Sequence, residues 1–118
     1  MIKMYIIYLL KTSTGYKIGQ TTRSEYDRMK EESRKHKKDT YEVSGAPIKM
    51  YVDYKTALLY ESYVRMAVGS LGLIHEGNDY FRKSRYVDDT QVRDAFMIGI
   101  KQADRACMEL TREVRKLL

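Results

Sequence analysis

The run Met4-Tyr5-Ile6-Ile7-Tyr8-Leu9-Leu10 constrains the fold of this chain more than any other segment. β-branched, aromatic and leucine side chains follow one another without a polar break, and Lys11 closes the run. It is too short for a self-sustaining helix and well short of the roughly 20 apolar residues that span a bilayer. A buried strand is the structure that accommodates such a run. A secretory leader does not fit, because one early lysine, interspersed tyrosines and no small-residue cleavage site make a poor signal peptide.

Thr12-Ser13-Thr14-Gly15 supplies turn chemistry after this strand, and residues 16–21 (Tyr-Lys-Ile-Gly-Gln-Thr) read as its return, giving a hairpin. Ser24 with Asp27 has the form of a capping box and opens a basic helix over about 24–38. Lys37 to Ala46 is aperiodic and reads as a loop. Ile48 to Tyr54 follows Pro47 as a third strand, since proline starts strands but does not sit in their centres. Thr56 is the expected cap of a helix reaching Leu71, which Gly69 and Gly72 weaken and end. His75 to Asp79 is a turn leading to a short edge strand at Tyr80-Phe81. Apolar core candidates are Ile7, Leu9, Ile18, Met50, Leu58, Val64 and Val68.

From Asp88 onward the pattern changes. Val92, Phe96, Ile100, Ala103, Cys107, Leu110, Val114 and Leu117 recur every three or four residues, with acids at the start and Arg115-Lys116 at the end. One long amphipathic helix is predicted, its stripe either packing on the sheet or pairing with a second copy as a homodimer. The expected fold class is therefore α+β: a small central, mostly antiparallel three-stranded sheet flanked by helices. Residues 1–87 form the domain and 88–118 the terminal helix.

The net charge of +6 is concentrated upstream of that helix, because residues 88–118 carry six acids and six bases. Its densest part holds Arg28, Lys30, Arg34, Lys35, Lys37 and Lys38 against Glu31 and Glu32. A polyanion suits such a patch, and a merely solvated helix face is the competing reading. A single cysteine, Cys107, excludes an intrachain disulfide and a cysteine-rich zinc site, and the two histidines exclude a His/Cys cage. The expected compartment is cytoplasmic, with no membrane association.

Glu61 is the residue that points to chemistry. Ala57, Tyr60, Val64 and Val68 share one face of their helix, and Glu61 falls inside that stripe. A carboxylate there is costly unless it is paired, hydrogen-bonded or bound to a metal. Pairing with Arg65 four residues on is the simple alternative.

A strand with Ile6-Ile7-Tyr8, a short turn, a strand reading Tyr16-Lys17-Ile18-Gly19, a helix carrying Arg28, a third strand and a helix carrying Glu61 occur in one order. Over about residues 4–82 this series resembles the GIY-YIG nuclease domain of the excision-repair incision subunit and of many phage homing endonucleases. The resemblance implies a DNA phosphodiester hydrolase with Tyr8, Lys17, Arg28 and Glu61 as its catalytic set, and Glu61 holding one Mg²⁺ or Mn²⁺. Arg28 would neutralise charge on the phosphate, and Tyr8 would relay or accept the proton of the attacking water. Lys30, Arg34, Lys35, Lys37 and Lys38 would contact the nucleic acid, and Asn78, within Gly77-Asn78-Asp79-Tyr80-Phe81, takes the place of a polar residue near the phosphate. His36 is a possible accessory group.

Lys17 stands where the family has the tyrosine of YIG, and Ile6 where it has the glycine of GIY. Strand alternation puts Lys17 and Gly19 on one face and Tyr16 and Ile18 on the other, so Tyr16 substitutes for the missing phenol only through a register shift. The KIG form resembles a branch found in phage and bacterial open reading frames. Lys17 would bind the scissile phosphate, or act as a base where burial lowers its pKa. The alternative function is an inactive GIY-YIG-like domain that binds nucleic acid or a host protein as a regulator.

Overall fold

The computed structural model describes residues 1–35, 40–77 and 79–117. In chain order the elements are β1 (Lys3–Lys11), β2 (Gly15–Thr21), α1 (Glu25–Lys35), β3 (Glu42–Val43), β4 (Ile48–Val52), α2 (Tyr54–Gly69), β5 (His75–Glu76), β6 (Tyr80–Arg82) and α3 (Asp89–Leu117). The architecture is α+β, with an antiparallel sheet and three helices. Among the described residues no helix is long and apolar enough to cross a membrane.

β1 is the organising strand. One of its edges pairs with β2 over Ile6 to Lys11, with Tyr8 opposite Gly19 and Leu10 opposite Lys17. The other edge is shared: Lys3–Ile7 pair with β4, whereas Leu10 and Lys11 pair with β3. β6 extends the sheet beyond β2, and β5 lies outside β6. Ile7, Leu9, Tyr16 and Ile18 pack into the main core with Tyr60, Val64 and Val68 of α2 and Val92, Phe96 and Ile100 of α3. Tyr8 and Leu10 turn to the opposite face, where Tyr41, Met29 and Val43 close over them. Burial on both faces is why the β1 sequence shows no polar alternation.

The three expected strands are present, and three short ones join them. β3 and β5 contain two residues each and β6 three, too few to display a period of two. Tyr80-Phe81 lies between two strands rather than at the edge. The cap of α2 is Asp53, whose carboxylate accepts from the Thr56 amide at 2.9 Å, so the helix starts at Tyr54 rather than at Thr56. Ser24 caps α1 as expected, its hydroxyl accepting from the Asp27 amide at 3.1 Å. Leu58, expected in the core, is only half-buried, because α2 presents Ala57, Tyr60, Val64 and Val68 inward and Leu58 lies about 100° round from Ala57.

α3 crosses α2 closely at Gly99, where an added Cβ would stand 2.6 Å from the Val64 Cα. Its buried positions end at Ala103. The stripe nevertheless continues through Leu110 (66% exposed), Val114 (50%) and Leu117 (87%), which overhang the domain. The start of α3 is fastened to the sheet by Asp89, which accepts from the Tyr16 hydroxyl and, at 3.3 Å, from the Lys11 ammonium. Farther along, the Tyr60 hydroxyl donates to Asp104.

Candidate functional site

The pairing of β1 with β2 sets Tyr8 and Lys17 on the sheet face that α1 covers. Gly19 lies opposite Tyr8, and the phenol ring rests across it, within 2.7 Å of where a Cβ would be. Only glycine leaves room for that ring. From the ring's far end, Tyr8 Oη receives a long hydrogen bond of 3.5 Å from Arg28 Nε.

Arg28 and Lys17 are joined by a residue that the sequence reading did not single out. Glu32, one turn beyond Arg28, is 1% exposed. Its Oε1 lies 2.7 Å from Lys17 Nζ, 3.3 Å from Arg28 Nη2 and 4.0 Å from Lys35 Nζ. Glu31 takes Arg28 Nη1 at 2.9 Å and Lys35 Nζ at 3.2 Å, and it also pairs with Arg23. The hydrogen bond from Arg23, then that from Lys35, hold the Glu31 carboxyl down at about 2.

Asp79 is the second unanticipated member. Its carbonyl accepts from the Ile18 amide at 3.0 Å, which fixes the turn beside β2, and its carboxylate reaches Lys17 Nζ at 3.5 Å. Glu61 approaches from α2 and is half-buried, close enough to Asp79 and Lys17 to feel both charges. Burial raises the Glu61 carboxyl above its ordinary value; Arg65 and Lys17 oppose the rise and Asp79 adds to it. Among the described residues its carboxylate has no hydrogen-bond or ion-pair partner.

Tyr8, Arg28, Glu32, Lys17 and Asp79 therefore form one connected chain of contacts, and Glu61, 53 positions beyond Tyr8, lies within electrostatic reach of its Lys17–Asp79 end. Their surroundings bear on the expected roles. Burial works to lower the Lys17 pKa, but the hydrogen bond to Glu32 and the charges of Asp79 and Glu32 outweigh it and raise the pKa. These partners favour the charged ammonium of Lys17. Tyr8 is 1% exposed, and its hydroxyl accepts from Arg28. Arg28 is also held above its ordinary value: burial pulls it down, while Tyr8 and Glu31 more than compensate.

The remaining candidates separate from this cluster. Tyr16 points to the other face, is 1% exposed and is committed to Asp89, so it has no place in the site. Lys30 and Arg34 occupy the opposite flank of α1 and line a groove of about 490 Å³ with Arg23, Ser33 and Tyr41. Lys35 stays on the Arg28 flank, tied to Glu31. His36, Lys37, Lys38 and Asn78 lie outside the described residues.

The i,i+4 spacing of Arg28 and Glu32 was visible in the sequence, but it reads as an ordinary surface pair. Its burial follows from Lys17 rising to meet it across the sheet. Asp79 carried no signal beyond turn composition.

No protein-family model matches the chain, and no curated protein or solved structure matches it significantly.

Proposed function

We propose that the protein is a divalent-metal-dependent nuclease of GIY-YIG type, hydrolysing DNA phosphodiester bonds at the Lys17–Arg28–Glu61 cluster. The observation that carries this reading is that Lys17 and Arg28, from a strand and a helix, share the Glu32 carboxylate, with Asp79 on Lys17 and the half-buried Glu61 of a second helix within electrostatic reach of Lys17 and Asp79. Convergence of a lysine, an arginine and a half-buried carboxylate is the arrangement that phosphodiester hydrolysis needs.

The residues fit a hard divalent cation. Among the described residues there is no cluster of three or more His, Cys, Asp or Glu side chains that could hold a metal. Mg²⁺ and Mn²⁺ do not need one, being content with one or two carboxylates, waters and phosphate oxygens. Glu61 offers such a carboxylate, and its raised pKa records a negative site that burial and Asp79 leave under-compensated. When bound, the ion supplies an acidified water and Lewis-acid stabilisation.

The chain's own groups do the rest. Lys17 and Arg28 face the phosphate and offset the charge that grows on its oxygens as water attacks phosphorus and the P–O bond to the leaving oxygen breaks. Tyr8 keeps the Arg28 guanidinium in place through its hydroxyl. Glu61 holds the cation, and Asp79 anchors Lys17 from the solvent side. Nothing in this cluster reads a base sequence, so the substrate is selected through its backbone.

One observation favours the inactive-binder alternative. Lys17 and Arg28 are already engaged by Glu31, Glu32 and Asp79, so the cluster offers phosphate no excess of positive charge. The deciding experiment is incubation of supercoiled plasmid with wild type and Glu61→Ala, in Mg²⁺, Mn²⁺ or EDTA. Nicking by wild type that needs the metal and Glu61 is expected. Its absence on duplex, branched and single-stranded DNA and on RNA would transfer the assignment to a binding domain.

A further inference from the structure

Glu32 is the most deeply buried charged side chain among the described residues, and hydrolysis as outlined above gives it no direct part. A buried carboxylate is expensive to keep unless paired, and one that serves stability alone is commonly replaceable by apolar packing. Here its nearest ion-pair partners are the two cations of the candidate site, with Lys35 farther off at 4.0 Å. Lys17 reaches it from β2 and Arg28 from within α1, at 2.7 and 3.3 Å, on the same oxygen. The lysine and arginine side chains keep 14% and 20% of their surface open, while the Glu32 side chain keeps 2%. The Glu32 carboxylate thus lies beneath the two cations, while Asp79 (39% open) and Glu31 (23%) flank them toward solvent.

We propose that Glu32 is a positioning residue of the site, its carboxylate holding Lys17 and Arg28 side by side so that both address one phosphate. This rests on the nuclease reading for the identity of the ligand but not for its own test. Lysine has a flexible four-carbon stem, and a fixed acceptor removes much of the entropy that phosphate binding would otherwise have to overcome. Glu32, and after it Asp79, also raises the Lys17 pKa.

The sign of one measurement separates positioning from simple charge neutralisation. Glu32→Gln makes the protein more positive, so charge alone predicts tighter binding of any polyanion. Positioning predicts weaker binding. A deoxyoligonucleotide duplex titrated in EDTA, where cleavage is suppressed, should bind Glu32→Gln about tenfold more weakly, the effect of one misdirected charge-assisted contact. In parallel, the Lys17 Cε resonance, followed by NMR, should titrate at lower pH in Glu32→Gln than in wild type. Glu32→Asp, which keeps the charge but is one methylene shorter, should hold Lys17 protonated yet leave affinity reduced. It provides the same test if Glu32→Gln does not fold. Unchanged or tighter binding by either folded variant would overturn the proposal. Because these readouts need no turnover, they stand even where plasmid nicking fails, so the two readings fall separately.

Discussion

Gly19→Ala tests whether the approach of Tyr8 to the sheet is as close as the site requires. A Cβ at position 19 would lie 2.7 Å from Tyr8 Cζ and 3.2 Å from Cε2, and it would strike the hydroxyl as well. The ring has no easy escape, because Leu10 and Tyr41 flank it in a small second core with Met29 and Val43 packed against it. Overpacking of this kind costs about 1–3 kcal/mol, and replacing glycine in a strand returns roughly 0.5–1 kcal/mol. A net loss of about 1–2 kcal/mol is expected, or roughly 4–8 °C in Tm for a chain of this size. The assay is denaturant unfolding of wild type, Gly19→Ala, Tyr8→Ala and the double variant. In the Tyr8→Ala background the obstructing ring is gone, so Gly19→Ala should cost nothing or stabilise slightly, giving a coupling above about 1 kcal/mol. Oligonucleotide affinity should fall in Gly19→Ala as well, since moving the ring releases Arg28. Equal costs in both backgrounds would refute the reasoning.

Tyr16→Phe removes a hydrogen bond to an ionised Asp89 and should lower stability by about 1.5–3 kcal/mol. It should leave nucleic-acid binding unchanged, as checked by thermal melts and a binding titration. Charge reversal at Lys30 and Arg34 should weaken binding to all DNA sequences alike and flatten the salt dependence by about 0.9 for each phosphate no longer neutralised. Sequence-selective weakening would contradict the groove's assignment to the nucleic-acid backbone. Glu61→Gln should be more stable than wild type at neutral pH, because the folded state raises this carboxyl and so penalises its ionised form. The difference should be absent well below the ordinary value of 4.5 and grow as pH rises through and above it, in melts without metal.

The sequence revealed most where a single local rule governed the outcome. β1 announced itself by an apolar run with no break, and α3 by its spacing of threes and fours, since each pattern depends only on neighbouring residues. The face assignment of Tyr16 followed from strand alternation alone. The cap at Asp53 was missed because Thr56, three residues later, is an equally plausible capping residue; the two are in fact hydrogen-bonded partners. β3 and β5 were hard to foresee because their pairing is set by β1 and β6 rather than by their own composition. Glu32 shows the same limit in the site. Helix spacing linked it to Arg28, but its burial comes from Lys17, which lies 15 positions upstream on another element. The separation of Lys30 and Arg34 from Lys35 was in principle legible, since helix geometry turns them about 100° per residue. Summing the basic residues as one patch concealed it.

Titration with Mn²⁺, observed by NMR, addresses the central claim most directly, because its paramagnetic broadening reports where an ion resides without relying on turnover. Glu61, Asp79 and Lys17 should broaden together at low Mn²⁺, while the exposed carboxylates of α3, Glu109 and Glu113, remain sharp. Glu61→Gln should abolish the effect, and excess Mg²⁺ should reverse it in wild type. Broadening that spread evenly over surface carboxylates, or that survived Glu61→Gln, would contradict a metal-dependent site at this cluster.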